Sequence, residues 1–360
     1  MKNRSLFPFF VMALALLSVQ CLAQQITTPA PSPAAVVTQT VGISTVTVKY
    51  SRPAVKGREV WGALVPYGWT AQPFGNLKEA PWRAGANANT TIEFSHNARV
   101  EGKEVPAGVY GLFFVINKDN TGEVILSKDN RSWGSFWYEA SRDQLRAPIK
   151  IRDVAFTELL TFDFISLDKN STELVLNWEK KQFPIAIQFA VDDIVMANAT
   201  EELKGTVGFT WQGPSSAANY ALLNKVNMEQ GMIWADRAIA QNKNFTTLNI
   251  KAGLLQETGK VAEAEKLKKE AIALATENEL NIYGYQLLGQ TQFDKAIEVL
   301  KIATERFPKS ANAWDSLGEA YALKGDTKNA IINFKKSLTM NPPENVRANS
   351  EKYLKQFGAL

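Results

Sequence analysis

Apolar and polar positions follow three different rhythms along this chain. An apolar run covers residues 6–19, behind Lys2 and Arg4. From Val36 to Phe189 the period is two: Val46, Val48 and Tyr50 alternate with Thr45, Thr47 and Lys49, which predicts a half-buried strand. Residues 108–116, with Tyr110, Phe113 and Phe114, read as a central strand, preceded by a strand at 90–95. Glu101-Gly102 predicts a hairpin turn, and residues 120–122 turn the chain into 123–126. Three further strands are predicted at 158–167, 172–178 and 185–189, with turns at 168–171 and 179–182. Short strands joined by tight turns predict an antiparallel β-sandwich or barrel.

Beyond Phe189 the rhythm becomes helical. A linker helix is expected over 192–204, ending at Gly205, and helical hairpins over 215–242, 245–275, 277–307 and 311–340. Gly284 recurs as Gly318, Ala296 as Ala330, Leu300 as Phe334 and Pro308 as Pro342, all at one shared interval. That interval, about 34 residues, marks stacked hairpins whose small residues sit where helices cross. Trp314, Leu317, Gly318, Tyr321, Ala330, Phe334 and Pro342 make this segment resemble a tetratricopeptide repeat, with Ser337 standing where that motif prefers alanine. Pro342-Pro343 stops the last hairpin, and a polar helix over 344–357 is placed to cap the open end. In the resulting groove, Asn278, Asn281 and Tyr285 are expected from one unit and Asn312, Asp315 and Glu319 from the next. These are chiefly acids and amides. A receptor for a C-terminal carboxylate needs Lys or Arg there, so that reading is disfavoured.

Together these patterns predict an α+β multidomain protein. Its expected parts are a signal peptide (1–23), a Pro/Ser/Ala linker (24–35) that is extended and mobile, a β-sandwich-like domain (36–190), a linker helix (191–214) and a tetratricopeptide-like solenoid (215–360). The charged start, the apolar run and Ala23 predict export to the periplasm or beyond. The run is too short to span a membrane comfortably, and Gln20 before Cys21 disfavours lipidation. Cys21 is the one cysteine, so the mature chain would have neither disulfide nor thiol chemistry. Losing Lys2 and Arg4 lowers the formal charge from +4 to +2, which gives no electrostatic support to a nucleic-acid partner.

Chemistry is sparse. His96 is the one histidine and precedes Asn97 at a turn; it reads as a turn residue more readily than as a general base. No Gly-x-Ser-x-Gly elbow or phosphate loop is present, and residues 119–123 lack calcium-loop spacing. No cofactor or metal is expected. Residues 51–58 (SRPAVKGR) carry three cations. With Pro66-Tyr67-Gly68, residues 82–87 (WRAGAN), the 102–111 hairpin and Trp133-Gly134, this stretch resembles a bacterial family known as domain of unknown function 2911, over about residues 36–180. The resemblance implies a fold and a context, some members carrying helical repeats behind, but no activity. The segment 70–81 separates Trp69 from Trp82 and is longer than in the most compact members. Arg52, Lys56, Arg58, Trp82, Arg83 and Asn87 are candidates to converge on a small anion or a sugar. The plainer reading is that Arg52, Arg58 and Arg83 pair with Glu59, Glu79 or Glu93 and lock the loops. Trp133, Phe136, Trp137 and Tyr138 are expected mainly in the core, with a carbohydrate platform as the alternative. The leading functional expectation is a non-enzymatic protein that binds a protein or peptide through its helices. Anion or sugar binding, or hydrolysis, by the β domain is the second.

Overall fold

The structure, a computed structural model, describes residues 28–360. The signal-peptide segment, Cys21 and the expected cut after Ala23 lie outside the described residues. The described chain forms two compact units that divide between Phe189 and Ala190.

The first unit contains β1 (Ala34–Val41), β2 (Ser44–Ser51), β3 (Thr70–Ala71), β4 (Glu79–Ala80), β5 (Thr91–Phe94), β6 (Ala98–Val100), β7 (Lys103–Val105), β8 (Gly108–Ile116), β9 (Thr121–Ser127), β10 (Asp143–Lys150), β11 (Arg152–Leu167) and β12 (Ser171–Gln188). One antiparallel sheet has the order β1-β2-β5-β8-β9-β10 and a second the order β11-β12-β6-β7; β3 and β4 form a separate hairpin. The period-two pattern works as expected: Val46, Val48 and Tyr50 are buried and their neighbours are not. Across the two sheets, Tyr50 meets Phe162 edge-on at 4.9 Å and Phe114 meets Phe183 at 5.1 Å, so both inner faces build one core.

The expected turn at 179–182 is not a turn. β12 continues through it, and the pairing with β11 slips at a bulge where Glu179 takes φ +53°. Polar side chains there have partners: Lys181 pairs with Asp153 of β11 at 2.6 Å, and Trp61 Nε1 donates to Glu179. A second correction concerns the 24–35 segment, expected to be mobile. Its described end is tied down, because Pro33 O accepts from Arg52 N and Ser32 O from the Asn87 amide.

The second unit comprises α1 (Val191–Glu202), α2 (Gln212–Asn224), α3 (Met228–Gln241), α4 (Phe245–Glu257), α5 (Val261–Leu274), α6 (Glu277–Gly289), α7 (Phe293–Arg306), α8 (Ala311–Lys324), α9 (Thr327–Leu338) and α10 (Glu344–Gln356). Capping boxes open α4 (Asn244 with Thr247) and α6 (Thr276 with Glu279), and Ser310 and Asp326 cap α8 and α9. Each such cap contributes about 1 kcal/mol. The helix crossings fall where the glycines predict them. A Cβ on Gly284 would stand 2.7 Å from Leu300, and one on Gly318 would stand 2.9 Å from Phe334, the equivalent pair of the next repeat. Ser337 is fully buried and donates to Ala311 O at 2.8 Å, which explains a hydroxyl where the motif has a methyl.

Candidate functional site

The six candidate residues of the β unit are held by different elements. Arg52 follows β2 and reaches β11, donating from Nε to Leu160 O (3.0 Å) and from Nη2 to the Thr161 hydroxyl (2.6 Å). Arg58 folds back on its own turn and donates to Val55 O and Ala54 O. Lys56 is exposed, and its main-chain N–H donates to Glu158. Neither arginine holds the expected Glu59, Glu79 or Glu93. The chain turns leave carbonyls outside the strand ladders, and the guanidinium forks satisfy those instead. Trp82 is pinned to β8 by reciprocal bonds with Phe114 (2.8 and 2.9 Å), and its ring stacks on Trp178 at 5.9 Å with Trp61 edge-on at 5.8 Å. Much of its ring is thus committed to the core. Asn87, at φ +62°, bonds Ser32 O and the Ser51 hydroxyl.

Arg83 differs from the other two arginines. It lies on Gly134, where an added Cβ would sit 2.2 Å from Nη1, and its guanidinium carbon is 6.0 Å from the Phe136 ring centre. Its single protein hydrogen bond among the described residues runs from Nη1 to Asn87 O at 3.2 Å. Burial pushes its pKa down, with no carboxylate bond to offset that cost. Arg83 and Trp82 line a cavity of about 230 Å³ with Pro66, Thr70, Gln72 and Phe136 among its other walls.

The opposite wall comes from the 70–81 segment. It folds as the β3–β4 hairpin over residues 135–139: Asn76 N donates to Phe136 O, the Asn76 amide to Tyr138 O, and Lys78 pairs with Glu139 at 2.8 Å. Gly75 makes that approach possible. It has φ +82°, and a Cβ there would be 2.1 Å from Phe136 O. Of the aromatic group expected mainly in the core, only Tyr138 is buried there; Trp133 and Trp137 are 60% and 50% exposed. Phe74 of the 70–81 hairpin meets Phe136 and Trp137 edge-on, at 5.7 and 6.1 Å, and is itself exposed. Tyr138 is held by Asp143 (2.6 Å) and Arg146 (2.9 Å), and burial pushes its phenol pKa up. His96 Nδ1 lies 3.0 Å from the Ser95 hydroxyl, and Asp119 caps its own turn through Thr121.

On the helical unit the repeat register aligns side chains into two rows. Tyr285 of α6 donates to Glu319 of α8 at 2.8 Å, and Tyr353 of α10 reaches Glu319 at 3.4 Å. Asp315 of α8 accepts from Asn349 (2.9 Å) and Ser350 (2.5 Å) of α10. Asp315 is 4% exposed, and burial raises its pKa. The capping helix therefore engages Asp315 and Glu319, two of the residues expected to face a partner. The sequence reading does not single out Asn349, Ser350 or Tyr353. Yet Asn349 and Tyr353 stand one repeat length after Asp315 and Glu319, so the period itself was the signal. Asn281 stands one repeat length before Asp315 and one helical turn before Tyr285, on the same face. Its Oδ1 is buried and has no hydrogen-bond partner. Asn278 is exposed and Asn312 half-buried on their helices.

The family model described as "Protein of unknown function (DUF2911)" matches residues 32–187, and a tetratricopeptide repeat model matches residues 311–344. The first unit thus carries the domain that its motifs resemble, and the helical unit carries the repeat. No curated protein matches the chain. Among solved structures, YrrB, described as a tetratricopeptide repeat protein with an unusual peptide-binding site, is 16% identical over 45% of this chain and 89% of its own, with a TM-score of 0.27. MamA from Desulfovibrio magneticus RS-1 is 16% identical over 43% of this chain and 88% of its own, with a TM-score of 0.28. Pseudomonas aeruginosa pilF is 20% identical over 41% of this chain and 70% of its own, with a TM-score of 0.26.

Proposed function

We propose that the chain is an exported, non-enzymatic binding protein whose helical repeats take an extended segment of another protein, on the face shared by α4 and α6. The observation that carries this is a row of half-buried side-chain amides, Asn249 of α4 and Asn281 of α6. Asn249 and Asn281 are both the fifth residue of their helices, as Asp315 is of α8. A side-chain amide both donates and accepts, which matches a peptide main chain. At α8 the corresponding position is engaged from within by α10. The groove candidates include no cation, so a neutral main chain suits them better than a terminal carboxylate. The apolar run behind Lys2 and Arg4 supports export, with Gln24 as the expected mature N-terminus.

The test is a display selection of extended peptides against the purified chain, with binding of the enriched peptide then measured on variants. Asn281→Leu is expected to weaken it by about tenfold or more, the scale of one lost buried hydrogen bond, while Arg83→Gln leaves it unchanged. A selection that enriches nothing, or a peptide that binds Asn281→Leu as well as the parent, would contradict the proposal.

A further inference from the structure

We propose that the cavity between the β3–β4 hairpin and residues 135–136 is a binding site for a sugar carboxylate, a uronate ring with its acid group on Arg83. Three arginines lie close together in the sequence around this region, and the structure separates them. Arg52 and Arg58 each spend two donors on protein acceptors and line no part of this cavity. Arg83 spends one donor, on Asn87 O, and lines the cavity. Its Nε and Nη2 make no hydrogen bond to a described residue, and no carboxylate pairs with it among the described residues. A half-buried guanidinium in that condition has lost water without gaining an anion, and a planar carboxylate is the group whose geometry its fork matches.

The rest of the cavity selects what carries the carboxylate. Its volume of about 230 Å³ lies below the roughly 300–1,000 Å³ of pockets that hold drug-sized ligands, so the occupant is of monosaccharide size. Phe136 and Trp82 line it and supply aromatic wall for a pyranose ring. Polar groups are placed for its hydroxyls: Ser135 Oγ donates to Pro81 O at 2.6 Å and keeps lone pairs to accept with, and the Gln72 amide, bound to Thr70 O, leaves its carbonyl oxygen to accept. Aromatic surface continues outward from Phe136 through Phe74 (5.7 Å) to Trp137 (6.1 Å from Phe74), and Phe74 and Trp137 are 62% and 50% exposed. A uronate linked to further sugars would find a track there.

Calorimetric titration of the full chain with sodium glucuronate, trigalacturonate, glucose and inorganic phosphate tests this. Saturable binding of glucuronate and trigalacturonate is expected, with none of glucose. Trigalacturonate binding the tighter identifies a polymer as the source, and equal binding a free sugar acid. Arg83→Gln is expected to weaken both acids by about tenfold or more, as loss of a charge-assisted bidentate pair implies. Should that variant fail to fold, Ala71→Trp decides: Ala71 is exposed at the cavity's edge and contributes no side-chain hydrogen bond, so an indole there blocks the cavity and is expected to abolish binding. Binding of glucuronate that survives either folded variant, phosphate binding as tightly as glucuronate, or no saturable binding of either acid would overturn the proposal.

Discussion

Gly75 shows how much of this molecule rests on single positions. Its positive φ and its contact with Phe136 O together exclude any side chain, so Gly75→Ala should destabilise the β unit by about 1–3 kcal/mol, read from chemical denaturation. An unchanged midpoint would mean that the 70–81 hairpin is not held as described. Asp315 is a second such position. Its carboxyl is buried, and its pKa is raised first by desolvation, against the bonds from Ser350 and Asn349 that lower it; the neighbouring Glu319 adds a rise. A raised folded-state pKa means that the native state binds the proton at higher pH than the unfolded chain does. The Asp315 contribution to stability is therefore fully present below the ordinary carboxylate pKa and is lost as pH rises from there through the folded value. Asp315→Asn should remove that slope. Melting curves of parent and variant at pH 4 to 8 check it, and parallel pH profiles would contradict it. Little of either position was legible in the sequence. Gly75 could be read as a turn glycine, but not as one pressed against the backbone of Phe136, far along the chain. Asp315 could be placed on a helix face, but not beneath α10.

At the scale of elements, the sequence was most readable where a period persisted. The last two hairpins emerge from the spacing of Gly284, Gly318, Leu300 and Phe334, because each repeat packs chiefly on its neighbours and local spacing therefore dictates contact. β12 was harder. Glu179 to Gln182 carries turn-like polarity, yet Arg152 and Asp153 of β11 lie opposite Gln182 and Lys181 and give those side chains partners. A strand's polarity answers to its neighbour across the sheet, and that neighbour is set by topology rather than by local pattern. The 70–81 hairpin was visible only as extra length. What it covers, and the cavity it closes beside Arg83, depended on tertiary contacts with residues 135–139.

Across the whole molecule, the two units present different chemistry. The β unit offers one under-used guanidinium in a small aromatic-walled cavity, and the helical unit offers a row of amides on α4 and α6 that continues as Asp315, which α10 engages. The proposed binding of a protein segment is the central claim, and its location is the part most open to direct measurement. In an NMR titration of the labelled chain with the selected peptide, the side-chain amide signals of Asn249, Asn278 and Asn281 should shift and saturate together, while Gln290 and Gln292, which line a cleft among α5, α6 and α7, stay in place. Shifts centred on that cleft or around Arg83, with the three asparagines unmoved, would contradict the account.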